Sequence, residues 1–436
     1  MGGVAWGEDA AARFADDPAI VALLAGLGDN TGAYLPPARF EGEGMEKVEG
    51  FAKRGPKVRD YCNKMVYAPD RRTAMYCGAN HQAPSRLNDV SEYHLGSNTW
   101  RLVSPPVGGD HGRVNRAMNE VKAGKDVEKN RAFLKEWFGS FCELKDGYLR
   151  TKGNGGPVCP WHTWDGLAYD EAAGKLLWAV LDTDEIHDNY LKAYAEYTGG
   201  DFAELKKGRK PGTGLYIFDP VKAEWRRQIG PDPRPYLRGM GGSLTYIPEI
   251  RKTVWYCAAQ NVTPNDFAMW TYDAAANVWA EMKPNGGKSI MALVHSDKAA
   301  PGSEVQMAWS PKHRKLVAVL GKDTFVYDLA SNAWSKACED ERNHASDSAT
   351  VFAYDSVSDV FLLLNAPKGQ WDLERELRAF DLKTGKWETL SPKGEMVKRM
   401  PYCGQAGYFD PVHNVFVVYS STERMWVYRY RKSEGK

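Results

Sequence analysis

The chain has 436 residues, and its 57 Lys and Arg nearly balance its 56 Asp and Glu, which leaves a formal net charge of +1. General nucleic-acid and membrane-surface binders use an excess of positive charge, so we expect no nucleic-acid and no membrane partner. No apolar run approaches the roughly 20 residues that a membrane-spanning helix needs.

The first 58 residues form an N-terminal segment that precedes the repeated part of the chain. Its start, MGGVAWGED, has no basic region followed by an apolar stretch, so the sequence contains no secretory signal. We expect a periplasmic or secreted protein if such a signal was removed, and the cytoplasm is not excluded.

Residues 59–436 contain short strand patterns separated by turn residues, and the plainest unit is 306–334 with four strands and three turns. Two signatures repeat along this region. The first is an aromatic residue followed seven positions later by Trp, at Tyr93/Trp100, Phe218/Trp225, Tyr272/Trp279, Tyr327/Trp334 and Phe380/Trp387. The second is an aromatic residue that leads into a polar hairpin, at Tyr67, Tyr169, Tyr246, Trp309, Tyr354 and Phe409.

These signatures resemble those of Kelch-type β-propellers, whose repeats are like the central domain of galactose oxidase. The resemblance implies an all-β fold of four-stranded antiparallel blades, and six units predict six blades. The paired glycines expected of the family are mostly missing. The sixth unit has three strands, so we expect residues 38–48 to supply its outer strand, because an open edge invites aggregation.

The loops of such blades emerge on two faces. The face with the strand 1–2 and 3–4 turns, here called the hairpin face, has short connections, and we expect its His94, His313 and His413 to be solvated. The opposite insertion face receives long segments at 105–160 and 182–212, with helices expected at 114–138 and 189–197. A seventh blade hidden in 105–160 is the alternative. Six histidines fall on or near the insertion face: His81, His111, His162, His187, His295 and His344.

The insertion face therefore contains the candidate site. His162 and His81 should lie near the channel mouth in neighbouring blades, and Tyr236 and Arg238 enter blade 3. Imidazole, phenol and guanidinium groups suit proton removal next to a carboxylate. A second candidate phenol and cation are Tyr194 and Arg209. Candidate substrate-binding residues are Asn80, Trp161, His187, Tyr190, Lys207, Asn261 and Trp371.

Basic runs on this face and exposed aromatic side chains favour an anionic polysaccharide or oligosaccharide as partner. The pattern is similar, at the level of the fold, to propeller lyases that degrade ulvan, which implies β-elimination on a uronate polymer. Arg238, helped by His81, would neutralise the uronate carboxylate. His162 or Tyr236 would take the proton, and Tyr236 would protonate the leaving oxygen. We expect a monomer that requires no cofactor.

Three alternatives remain open. A non-catalytic Kelch-type module would bind a glycan or a protein through the same face. A structural divalent metal, zinc or calcium, is compatible with the sequence, and Cys77, His81, Cys159 and His162 are weak candidate ligands for zinc. A copper-radical oxidase of the galactose oxidase type ranks low. Seven cysteines exclude a complete disulfide framework, and most are expected to be buried as small hydrophobic residues.

Overall fold

The computed structural model describes residues 14–57, 59, 62–79, 86–161, 163–180, 184–235, 237, 242–257, 269–285, 305–343, 350–367, 373–400 and 404–431. In this part of the chain, six small, mainly antiparallel sheets are arranged in a ring and form a six-bladed β-propeller. The predicted fold class is confirmed.

The N-terminal segment and blade 1 come first in the chain. The segment contains α1 (Pro18–Gly26), β1 (Thr31–Pro37), β2 (Arg39–Glu41) and α2 (Phe51–Arg54), with a short 3-10 helix at Met45–Lys47. Blade 1 contains β3 (Val66–Ala68), β4 (Thr73–Tyr76), β5 (Val90–His94) and β6 (Thr99–Ser104), with a 3-10 turn at Leu95–Ser97.

Blade 2 carries the helical insertions. The connection into it contains α3 (His111–Lys122), α4 (Val127–Phe141), β7 (Cys142–Lys145) and β8 (Tyr148–Thr151). The blade itself contains β9 (Leu167–Asp170), β10 (Lys175–Ala179), α5 (Asp184–Thr198), α6 (Phe202–Lys207), β11 (Gly212–Asp219) and β12 (Glu224–Ile229).

The remaining blades are plainer. Blade 3 contains β13 (Gly242–Ile247), β14 (Lys252–Cys257), β15 (Trp270–Asp273) and β16 (Val278–Glu281), and blade 4 contains β17 (Val305–Ser310), β18 (Lys315–Leu320), β19 (Asp323–Asp328) and β20 (Ala333–Glu339). Blade 5 contains β21 (Val351–Asp355), β22 (Val360–Asn365), β23 (Glu376–Asp381) and β24 (Lys386–Thr389); after β25 (Lys393–Gly394), blade 6 contains β26 (Ala406–Asp410), β27 (Val415–Tyr419) and β28 (Arg424–Arg429).

The seven-residue spacing of the first signature has a simple geometric cause. In all five blades that carry it, the aromatic residue and the Trp are opposite one another on strands 3 and 4. Their ring centroids lie 4.9–5.3 Å apart. Aromatic pairs directly across two strands stabilise a sheet, so each outer hairpin is held by one such pair.

A repeated asparagine joins neighbouring blades in three places. Asn277, in the last turn of blade 3, has φ 57° and accepts a hydrogen bond from the Tyr272 hydroxyl at 2.7 Å. Its side-chain amide donates to the carbonyl of Ile229 in blade 2 at 2.6 Å. Asn98 and Asn332 make equivalent bonds to the preceding segment. Asparagine tolerates left-handed backbone and supplies both bonding groups, which explains its use here.

The ring is closed by the N-terminal segment, as predicted, but by an earlier strand. β1 pairs antiparallel with β28 and becomes the outer strand of blade 6. The predicted range of 38–48 was wrong for this strand, because its first residues form β2, which pairs parallel with β6 of blade 1. β1 contains Pro36 and Pro37, and prolines hide a strand from pattern reading. The segment therefore joins blade 6 to blade 1.

Blade 6 replaces the usual outer Trp with a glycine. Gly32 on β1 lies opposite Tyr428, and a Cβ atom at Gly32 would come within 2.7 Å of the Trp426 ring. Trp426 is fully buried and packs beside Tyr428 with the ring planes 9° apart. The last unit has no Trp opposite Tyr428. The Trp426 ring takes its place and fills the space over Gly32.

The two long insertions pack against each other and form one small body beside blade 2, here called the insertion body. Its apolar core combines Leu134, Trp137 and Phe138 of α4 with Tyr190 and Leu191 of α5. The connection contains the two-stranded sheet β7–β8 and no four-stranded blade among its described residues, so the seven-blade alternative is wrong. The predicted single helix is two helices, because the chain turns at Gly124 with φ 70°.

No helix in the described ranges is both long and apolar enough to cross a bilayer.

Candidate functional site

The two segments that lead to His81 and His162 are fixed to each other. The backbone N–H of Ala79 donates to the Thr163 hydroxyl at 2.8 Å, and that hydroxyl donates to the Ala79 carbonyl at 3.1 Å. Both residues are buried. These bonds therefore join blades 1 and 2 at a point two residues before His81 and one residue after His162. Both histidines lie outside the described residues.

The other principal candidates also lie outside the described residues. Tyr236 and Arg238 flank Leu237, which is buried against Leu244 and Trp255 in the core between blades 2 and 3. Asn80, Asn261 and Trp371 lie outside the described residues as well. Their roles stay predictions.

Arg209 and His187 are bound within the insertion body. The Arg209 guanidinium forms an ion pair with Asp188 at 2.6 Å and lies 5.0 Å from the centre of the Tyr148 ring. His187 is fully buried, and its Nε2 accepts a hydrogen bond from the backbone N–H of Leu149 at 2.9 Å. These contacts attach α5, and the residues just after α6, to the β7–β8 hairpin.

The candidate aromatic residues of this body are largely packed. Tyr190 is 2% exposed, and Tyr194 lies edge-on to Phe138 with ring centroids 6.2 Å apart. Lys207 is exposed and pairs with Glu204 at 2.5 Å.

Trp161 differs from these residues because it lies next to His162. The Arg86 guanidinium is 4.0 Å from the centre of its ring, close enough for a cation–π interaction. Trp161 is partly buried. The stacked pair anchors the chain beside the predicted base.

The two candidate zinc ligands that the structure describes lie in different apolar clusters. Cys77 is buried with blade 1 and blade 2 side chains, whereas Cys159 belongs to the core of the insertion body. Burial raises the pKa of the Cys77 thiol well above its usual value. Among the described residues no group of three metal-ligating side chains converges, and the metal hypothesis stays a prediction.

Arginine side chains are buried at the insertion-face ends of blades 5, 6 and 1. Arg59 pairs with Asp89 at 2.6 Å, and Arg378 pairs with Asp340 at 2.7 Å. Arg375 donates to the Gln405 side-chain carbonyl at 2.9 Å. Among the described residues, those at most 7% exposed on this face are Arg59, Arg86, Arg375, Arg378 and Arg399.

A cavity opens at the centre of the ring toward the hairpin face, where the sequence predicted only short turns. Its volume is about 290 Å³, and the inner strands of all six blades line it. Each blade contributes one aromatic residue of the second signature: Tyr67, Tyr169, Tyr246, Trp309, Tyr354 and Phe409. The second signature, which occurs once in each blade, therefore also identifies residues of the cavity wall. This role was not predicted from the sequence.

The inner end of this cavity is closed by a polar cluster. The Lys64 ammonium donates to Asp165 at 2.9 Å and to the Leu244 carbonyl at 2.8 Å. Asp165 also accepts hydrogen bonds from the Ser243 hydroxyl and from the backbone N–H of Met307. Burial raises the pKa of Asp165, and Lys64 opposes this shift. Together these residues join blades 1 to 4 across the axis.

The predicted solvation of His94 was wrong. Its side chain is 2% exposed and stacks on Phe14 with ring centroids 5.0 Å apart. Burial lowers the pKa of His94 to about 4, although Asp16 opposes the shift. The N-terminal segment covers this histidine, and it comes from a part of the sequence about eighty residues away.

Comparison with known proteins finds only distant structural neighbours. No family model matches the chain, and no curated protein matches it. Among solved structures, it is similar to an auxiliary nutrient binding protein from Bacteroides ovatus, with 9% identity, a TM-score of 0.45, and coverage of 91% of this chain and 76% of that one. A putative TolB from Agrobacterium tumefaciens gives 8% identity, a TM-score of 0.41, and coverage of 86% and 91%. Likeness at this level carries no conclusion about this chain.

Proposed function

We propose that this chain is a carbohydrate-active propeller that binds a uronate-containing anionic polysaccharide on its insertion face and cleaves it by β-elimination. The observation that carries the proposal is the pair of hydrogen bonds between Ala79 and Thr163. Because these bonds join the segments that lead to His81 and His162, they favour a site that both imidazoles can reach.

The buried arginines of the same face support an anionic substrate. Arginine binds carboxylate groups through paired N–H donors and stays charged when buried. Arg59 and Arg378 use some of their N–H donors to pair with Asp89 and Asp340. We expect this group of guanidinium side chains to favour a polyanion over a neutral glycan.

The reaction needs three roles. Arg238, helped by His81, would neutralise the uronate carboxylate and so lower the cost of forming the enolate-like anion. His162 or Tyr236 would remove the proton from the carbon next to that carboxylate. Tyr236 would then protonate the departing glycosidic oxygen, which leaves an unsaturated sugar at the new chain end.

The test is incubation of the full chain with a panel of uronate polymers while ultraviolet absorbance of unsaturated product is followed. His162→Ala, Tyr236→Phe and Arg238→Ala should each abolish most of the absorbance change. Lys222→Ala is the matched control, because Lys222 is exposed in a turn of the hairpin face of blade 2. A folded protein that neither binds nor cleaves any polymer in the panel would contradict the proposal.

A non-catalytic glycan-binding module is the second candidate, and the same insertion-face arginines favour it. Affinity electrophoresis in gels that contain each polymer separates the two functions. Retardation by a uronate polymer without any unsaturated product would assign the chain to binding alone.

A further inference from the structure

We propose that the central cavity on the hairpin face is a second ligand site, which binds a small organic cation such as an alkylated ammonium compound. This site is independent of the proposed polysaccharide site, because the two lie on opposite faces of the ring. Its volume of about 290 Å³ is at the lower end of the range for small-ligand pockets.

The wall of the cavity is aromatic on all sides. Tyr67, Tyr246 and Tyr354 are partly buried, so part of each ring surface remains accessible. Tyr67 also stacks on Tyr408 with the ring planes 9° apart, which fixes its orientation. Aromatic faces attract cations through their negative π clouds, and several rings around one volume form the kind of cage that holds quaternary ammonium groups.

The charges of the lining favour a cation over an anion. Two charged side chains line the cavity among the residues that the structure describes, Lys64 at the inner end and Glu171 at the mouth. Asp165 pairs with Lys64 and offsets its charge, which leaves Glu171 as the net charge of the described lining. An entering carboxylate would first be repelled by Glu171 and would then compete with Asp165 for the Lys64 ammonium.

The surroundings of Glu171 strengthen this preference. Partial burial and the neighbouring Asp70, Asp170 and Glu249 raise the pKa of its carboxyl group, and Arg251 offsets the charge of Asp170 in part. A bound cation at the mouth would relieve this repulsion between carboxylates.

The ends of the cavity add selectivity by shape. Pro248, Pro311 and Pro411 form much of the rim, and proline has no backbone N–H to offer to an anion. The Lys64 ammonium has three donors, and its described contacts use two. The third can bind a hydroxyl or carbonyl oxygen of the ligand, which suits a cation with a short polar tail.

Choline is a probe with this chemistry, and 3,3-dimethyl-1-butanol is its neutral analogue of nearly the same shape. Calorimetric titration of the full chain should give millimolar or tighter binding of choline and at least fivefold weaker binding of the alcohol. Two results would overturn the proposal. One is equal affinity for choline and the alcohol, and the other is failure of both choline and the larger benzyltrimethylammonium ion to bind.

Matched variants locate the site. Glu171→Gln should weaken choline binding several-fold, whereas Glu224→Gln, at an exposed carboxylate of the same blade, should not. Tyr246→Leu should weaken binding about two- to thirtyfold through loss of one cation–π contact, and Tyr246→Phe should retain it. Choline binding that is insensitive to both Glu171→Gln and Tyr246→Leu would place it elsewhere and refute the assignment.

Discussion

Deletion of residues 14–37 together with the preceding residues should prevent the ring from closing. The deleted range removes α1 and β1, and with them four side chains from the core cluster beneath blades 6 and 1: Ile20, Leu24, Leu27 and Leu35, all at most 7% exposed. At 1.5–3 kcal/mol for each buried side chain, the loss is about 6–12 kcal/mol. Whole domains are stable by about 5–15 kcal/mol, so the truncated chain should be insoluble or partly unfolded.

The deletion also leaves the edge of β28 without its strand partner, which adds an aggregation hazard. Amide hydrogen exchange of whatever soluble protein remains should show lost protection in Arg424–Arg429. A point-variant pair isolates the core contribution: Leu24→Ala, at a fully buried position, should cost about 2–5 kcal/mol, whereas Leu23→Ala, at 37% exposure on the same helix, should cost far less. A truncated chain that remains monomeric, with native protection in β28, would refute this reasoning.

Three further predictions concern single residues. Gly32→Ala should destabilise the protein by about 1–3 kcal/mol in chemical denaturation, since the added methyl group overlaps the buried Trp426 ring; an unchanged midpoint would contradict the described packing. The pKa of His94 in the folded protein is about 4, so the free energy of unfolding should fall as pH drops from about 6.5 toward 4, because the unfolded chain binds the proton first. His94→Asn should flatten that part of the stability–pH curve. An unaltered slope would argue against burial of His94. Asn277→Ala should cost about 2–4 kcal/mol, from its lost bonds and its positive φ, and Asn277→Gly should cost less in the same denaturation assay, since glycine keeps the backbone; equal losses would discount the backbone contribution.

The sequence predicted the blades well because each blade is a local structure. Tyr327 and Trp334 are seven residues apart in the chain and directly opposite in the sheet, so a short-range pattern carries the strand order. The closing strand was misplaced because β1 has two prolines and no alternation, and its pairing with β28 spans almost the whole chain.

The polar cluster at the channel axis and the burial of His94 were harder to predict, because both depend on how the whole ring is assembled. Lys64 and Asp165 are about one hundred residues apart, and nothing near either residue indicates that they meet at the channel axis. The same limit applies to His94, which is covered by Phe14 and Asp16 from the N-terminal segment. Burial by a remote segment leaves no local pattern in the sequence.

The insertion body has a consequence for the order of folding. Its core combines α4 with α5, and the inner hairpin of blade 2, from Leu167 to Ala179, lies between them in the chain. Formation of that hairpin brings its two ends together and so lowers the loop-closure cost of joining the two halves of the body. We therefore expect it to open and close as a cooperative unit of its own, with hydrogen-exchange rates distinct from those of the ring.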